Sequence, residues 1–193
     1  GAGGLAYALF AASKLLGEDV DQWHELARRY VVSVRDPVTE DDLLDVSAGA
    51  AGAAAVLAAM LESGVPYHEE CLTSLAACIE RLRRSATSLV DFDGLCWPTG
   101  ESRTPLGGFS HGTAGIGWAV ARSLPWINSS GDVDLISRAL RFDDNYWDAH
   151  RSLWRDARPE SADKPVYPIH WCHGATGIFL ARLQASKFSS EVV

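Results

Sequence analysis

The sequence predicts an all-α protein, an α/α toroid in which a ring of inner helices is backed by an outer layer. Three observations predict it. Gly-x-x-Gly recurs at Gly1/Gly4, Gly49/Gly52, Gly112/Gly115 and Gly174/Gly177, the first glycines standing 48, 63 and 62 residues apart. Each recurrence leads into a stretch that is apolar nearly all round, the pattern of a helix buried on more than one side. Between these lie stretches with a single apolar stripe, the pattern of helices with one face in water. Strand signals are sparse, so helical hairpins repeated along a curve are the economical arrangement.

The elements follow in order. Leu5 to Leu16, Ala53 to Leu61, Ile116 to Leu124 and Ile178 to Gln184 form the inner set, rich in Ala, Leu and Ile. In the outer set, Trp23, Leu26, Ala27, Tyr30, Val31 and Val34 make one stripe, with His24, Glu25, Arg28 and Arg29 off it. Leu72, Leu75, Ile79 and Leu82 make a second, and a weaker third runs from Val133 to Phe142. The span from Asp143 to Ile169, with Trp147, Trp154, Pro159, Pro165 and Pro168, reads as a long loop carrying a short helical piece after Trp147. Connections of that length in a compact domain usually serve function. Trp97, Pro98, Gly100 and Pro105 mark turns over one rim.

Composition narrows the class. A chain of 193 residues with 47% hydrophobic content can bury a core of its own. Seventeen Lys and Arg against 25 Asp and Glu leave a net charge of −8, which argues against nucleic acid or an anionic membrane surface as partner. No apolar run approaches the roughly 20 residues of a membrane span, and no secretory signal is visible. Cys71, Cys78, Cys96 and Cys172 are too scattered for a disulfide framework. A reduced, cytoplasmic protein is the expectation. The chain opens inside a repeat motif and stops soon after a helix that needs neighbours on both sides, so residues 1–193 are expected to be one partial domain of a longer protein, with the toroid incomplete.

Chemistry gathers at two of the four repeats. Gly108-Phe109-Ser110-His111-Gly112-Thr113-Ala114-Gly115-Ile116 and His170-Trp171-Cys172-His173-Gly174-Ala175-Thr176-Gly177-Ile178 set a His or a Cys at the mouth of a helix. The first turn of a helix exposes N–H groups and positive potential. Gly at both ends of the tetrad (Gly49 and Gly52, Gly112 and Gly115, Gly174 and Gly177) allows a sharp turn and the close approach of other chain or substrate. Cys172 is placed to be a thiolate, able to bind metal or attack an electrophile. His111 occupies the matching place one repeat earlier, and Asp45, four residues before Gly49, falls near the same rim. Cys71 and Cys78 are expected in the core on one helix face, Cys96 as inert, and His24, His68 and His150 at the surface or an interface.

The two phrases resemble signature motifs of the lanthionine synthetase C-like cyclases. Trp-Cys followed by His-Gly is most similar to the C-terminal cyclase domain of the bifunctional class II (LanM-type) lanthipeptide synthetases, and Asp45-Val46-Ser47-Ala48-Gly49-Ala50-Ala51-Gly52 resembles the family's Asp-bearing repeat. The resemblance implies an α/α toroid with one catalytic zinc at its mouth. Cys172 matches one ligand; the family's other two, a Cys-His pair further along, have no counterpart before Val193. Stand-alone cyclases tend to carry arginine four positions before the cysteine, where this chain has Pro168. The implied reaction is addition of a peptide cysteine thiol to dehydroalanine or dehydrobutyrine, closing a lanthionine ring. His111 is the candidate general acid, also able to help remove the thiol proton; Asp45 orients or charge-balances a catalytic His, and His173 and Trp171 line the substrate mouth. The implied partners are the dehydrated precursor peptide and, in the full-length protein, an N-terminal dehydratase domain that nothing here resembles. Two alternatives stand beside this reading. One is a noncatalytic, peptide-binding scaffold without a complete zinc site. The other is a toroidal carbohydrate-active enzyme using Asp45 with Asp91 or Asp93.

Overall fold

Alternation of the two kinds of helix is what the chain folds into. A computed structural model describes residues 1–98, 104–127 and 129–188. The turn expected at Gly100 lies outside the described residues. Helices α1 (Ala2–Leu16), α3 (Ala50–Glu62), α5 (Thr113–Ser123) and α7 (Ala175–Ala185) pack one on the next as an inner layer. Helices α2 (Val20–Val38), α4 (His68–Ser85) and α6 (Asp132–Asp144) back them, each forming a hairpin with the inner helix that precedes it. The result is an all-α wall of inner and outer helices, the layering expected of an α/α toroid.

The inner helices earn their place by having little to exclude. In α3 the buried residues Ala50, Ala51, Ala54, Ala55, Leu57, Ala58, Met60 and Leu61 leave hardly any polar face, so the helix is covered by α1, α4 and α5. Outer helices bury a single stripe instead. In α4 it is Cys71, Ser74, Leu75, Cys78, Ile79 and Leu82, with Glu69, Glu80 and Arg84 toward water. The stripe of α2 is displaced from the expected one. Ala27, Val31, Val34 and Val38 are buried, Trp23 and Tyr30 are half-buried, and Leu26 is exposed, because the neighbours α1 and α4 both meet the face centred on Val31.

Polar ties hold the outer layer. Arg83 of α4 makes two hydrogen bonds, 2.8 and 2.7 Å, to the buried carboxylate of Asp132 at the start of α6. Ser74 of α4 donates to the Val31 carbonyl of α2 at 2.9 Å. His24 is half-buried within the fold, its Nε2 2.9 Å from Ser13 Oγ and its ring among Phe10 and Tyr67. His68 packs edge-on to Trp126, and His150 is exposed.

The connection from α6 to α7 is ordered differently from the expected helical piece. Strands β1 (Trp147–Asp148) and β2 (Leu153–Trp154) form an antiparallel hairpin with Trp147 paired to Trp154, their rings 4.5 Å apart. A single 3-10 turn occurs later, at Pro159–Ser161. Two large aromatics opposite one another favour strand pairing over a lone helical turn. No described helix is long and apolar enough to cross a membrane.

Candidate functional site

The site is built from three hooks in the backbone. Before α3, α5 and α7 the chain doubles back so that the first helical N–H donates to a carbonyl seven residues earlier: Ala50 to Leu43 (2.9 Å), Thr113 to Leu106 (3.0 Å) and Ala175 to Pro168 (3.2 Å). In α3 the next two N–H groups, of Ala51 and Gly52, are taken by Leu44 and Asp45 in the same way. Both glycines of each tetrad face this returning strand. A Cβ on Gly49, Gly112 or Gly174 would strike the backbone of Leu43, Gly107 or Pro168, and one on Gly52, Gly115 or Gly177 would strike the carbonyl of the residue six positions back. Gly174 also sits at φ 132°, which side chains other than hydrogen rarely adopt. The close approach that the glycines permit is therefore made by the chain itself. The hooks take up N–H groups at the start of each helix, those of Ala50, Ala51 and Gly52 in α3, Thr113 and Gly115 in α5 and Ala175 in α7. The first repeat differs: a Cβ on Gly1 or Gly4 would meet nothing within 4 Å, and one on Gly3 would meet Ala53 of α3 at 3.6 Å.

Neighbouring hooks are stitched side by side. Val46 N–H donates to the Ser110 carbonyl at 3.2 Å, and the Ser47 and Ser110 hydroxyls are 2.6 Å apart. Phe109 and Ser110 N–H both donate to the Cys172 carbonyl, at 3.1 and 3.0 Å. Asp45, His111 and Cys172, which lie 66 and 61 positions apart in turn, are thus carried on one continuous backbone rim.

His111 Nδ1 is 2.7 Å from Asp45 Oδ2. The carboxylate is buried, with its side chain 6% exposed against 44% for the imidazole, and its other oxygen accepts the Ala48 N–H at 2.9 Å. With a proton on Nδ1 donated to this carboxylate, the neutral ring keeps its lone pair at Nε2. His173 lies against His111 with ring centroids 6.0 Å apart and planes 28° from parallel. Its pKa is lowered, first by burial, then by the Arg158 cation, with His111 adding to the effect and Asp156 opposing it. Cys172 is half-buried, neither sealed in the core nor fully in water. Trp171, 55% exposed, stands edge-on to Phe109 on the same rim. The other three cysteines are buried, and burial pushes their thiols up, Cys71 and Cys78 to about 12 and Cys96 to about 11. Asp91 and Asp93 are exposed on the loop after α4, Asp93 bonded through its N–H to Asn145.

A family model for lanthionine synthetase C-like proteins matches residues 1–192. The chain belongs to the lanthionine synthetase C-like family. No curated protein matches it. Among solved structures it is similar to nisin cyclase, with 14% identity and a TM-score of 0.45 over 95% of this chain and 64% of that one. The chain thus spans 64% of that cyclase's length.

In this lanthionine synthetase C-like chain the long connection supplies residues that the motifs did not disclose. Asp156 is buried, and Arg158 binds it with Nε at 3.1 and 2.9 Å from the two carboxylate oxygens. Burial pushes the Asp156 carboxyl up, but the hydrogen bonds and charge of Arg158 prevail and hold it below the usual range. Arg158 is within electrostatic reach of Cys172, and Asp156 of His173. Nothing in their local sequence marks them. Asp143 is different: it follows Ile136 and Leu140 at helical spacing on the buried stripe of α6, so a carboxylate in an apolar phase was visible.

Zinc is the metal that the resemblance implies. Among the described residues no group of three or more His, Cys, Asp or Glu is arranged to hold a metal ion. Zinc takes four ligands, at least three of them from protein. The described residues, with Cys172 as the one half-buried thiol, do not complete such a set.

Proposed function

We propose that the chain is the cyclase portion of a lanthipeptide synthetase of the class II type, adding peptide cysteine thiols to dehydroalanine or dehydrobutyrine. The observation that carries this reading is the 2.7 Å Asp45–His111 pair on a rim bonded directly to Cys172, within a lanthionine synthetase C-like chain. Neutral His111, oriented through Nδ1 by Asp45, takes the substrate thiol's proton at Nε2. The thiolate attacks the β-carbon of the dehydro residue, a C–S bond forms, and the carbon–carbon π electrons move toward the adjoining carbonyl as an enolate. The imidazolium, balanced by the Asp45 carboxylate, then returns its proton to the α-carbon, so the ring closes without gain or loss of atoms. His173, kept largely neutral by burial and by Arg158, and the exposed face of Trp171 border the place where peptide enters. Cys172 belongs in this reading as one zinc ligand, with the remaining ligands supplied by a Cys-His pair outside these residues. The substrate is a dehydrated precursor peptide, produced by a dehydratase domain of the full-length protein, in the cytoplasm.

A second reading, a peptide-binding scaffold without turnover, is favoured by the absence of a metal-holding group among the described residues. One experiment separates the two. A dehydrated peptide carrying one free cysteine is incubated with the full-length protein, and free thiol is counted by alkylation and mass spectrometry. Loss of the thiol, slowed at least ~100-fold in His111→Ala and partly in Asp45→Asn, supports the cyclase. Peptide bound with its thiol intact supports the scaffold.

A further inference from the structure

Asp143 has no place in the chemistry just described, yet it is the most completely enclosed acid of the site region. It closes the last turn of α6, an outer helix, and its side chain points inward under the hook that carries His111. Oδ1 accepts the Gly108 N–H at 2.6 Å, and Oδ2 accepts the Thr113 hydroxyl at 2.9 Å. Gly108 lies at the entry of the hook and Thr113 at its exit, the first residue of α5. One carboxyl group therefore clasps both ends of the six-residue segment containing Phe109, Ser110 and His111. Gly107 is shaped to admit it, since a Cβ there would sit 2.7 Å from Asp143 Oδ1. Tyr146, Arg155, Asp156, His173 and Ile178 close over the same spot, around a space of about 10 Å³. That is at the lower limit for one water, so little solvent is present to stand in for the carboxyl.

The clasped segment is also the one through which the rim is stitched. Its Phe109 and Ser110 N–H groups hold the Cys172 carbonyl, and its Ser110 carbonyl holds the Val46 N–H beside Asp45. We infer that Asp143 is a positioning residue, which sets the His111 imidazole against Asp45 by clamping the hook from the outer layer. It touches neither His111 nor Asp45, so its action passes through backbone. The functional weight of this clamp rests on the reading of Asp45–His111 as the working pair, but its test does not.

The readout is solvent exchange of the His111 Nδ1 proton, followed by NMR on histidine-labelled protein. Asp143→Leu removes both contacts while keeping approximate size. It is expected to speed that exchange about 10-fold or more, in line with the loss of a charge-assisted hydrogen bond. Asp143→Asn keeps an oxygen for Gly108 and offers an N–H to Thr113, and is expected to match the wild type. Thr113→Val removes one contact only and is expected to give an intermediate rate, with Thr113→Ser restoring it. Melting temperature is recorded in parallel. If Asp143→Leu and Thr113→Val lower the melting temperature but leave the exchange rate untouched, Asp143 is merely structural and the inference falls. Should Asp143→Leu fail to fold, the Thr113 pair decides: equal rates for Val and Ser overturn the clamp. Failure of the cyclase reading would appear separately, as thiol loss that does not depend on His111.

Discussion

Two glycines on α5, two residues apart, should differ sharply in their response to the same added methyl. A Cβ on Gly115 would lie 1.8 Å from the Phe109 carbonyl oxygen and 2.8 Å from a Val46 methyl. To restore ordinary contact at 3.4 Å the carbonyl must retreat by about 1.6 Å. That carbonyl is backbone, and the peptide on either side of it is bonded to Cys172 and Val46. Overpacking against yielding side chains costs about 1–3 kcal/mol, and each rim hydrogen bond put at risk adds about 1 kcal/mol. The Gly115→Ala cost is then roughly 4 kcal/mol, less up to ~1 kcal/mol of helix propensity regained. A Cβ on Gly117 crowds the Ala139 methyl at 3.2 Å, which yields by a few tenths of an ångström, and meets the Ile136 carbonyl at an ordinary 3.8 Å. There the propensity gain offsets the crowding, and Gly117→Ala should fall within ~1 kcal/mol of the wild type. Urea unfolding by far-ultraviolet circular dichroism should separate the two by about 3 kcal/mol, and thermal melts by roughly 6–12 °C. Equal stability for the two variants would refute the hook as the reason for the second glycine of the motif.

Burial raises the Asp143 carboxyl from 3.8 to about 7, against the opposing hydrogen bonds of Gly108 and Thr113. The native state therefore holds a proton that the unfolded state has released, so the contribution of this group falls by about 1.4 kcal/mol per pH unit between about pH 4 and 7 and is flat above. Wild-type stability minus that of Asp143→Asn, measured by urea unfolding across this range, should decline with rising pH; a flat difference would sink the assignment. Thiol labelling of the folded chain should mark Cys172 quickly and Cys71, Cys78 and Cys96 only on unfolding, since three are buried and Cys172 is half-buried. Peptide mapping after a short pulse of iodoacetamide reads this directly, and early label at Cys78 would contradict the packing of α4.

The layer order, the seven described helices and the tight turns at Gly49, Gly112 and Gly174 were legible because each is written within a few turns of chain. Periodicity reports which faces meet other helices, whatever those helices are, and a glycine before an apolar run reports a backbone that needs room. Leu26 was misassigned for the complementary reason: a stripe says that a face is buried, but only the positions of α1 and α4 decide where the stripe is centred. The Trp147 segment formed a hairpin because Trp154 was there to pair with it, a partner that local propensity does not see.

His111 and Cys172 could be singled out from their motifs, and Asp45 from its place before Gly49, since they stand one, two and four residues ahead of the first glycine of a repeat. That Asp45 and His111 meet at 2.7 Å is a matter of tertiary structure, decided by the packing of α3 on α5 that sets one hook beside the next. Asp143, Asp156 and Arg158 reach the site from an outer helix and a long loop, and no spacing along the chain encodes that approach. Local sequence determines which backbone shapes are allowed; which side chains share a pocket is determined by how those shapes pack, because contact depends on distance in space and not on separation along the chain.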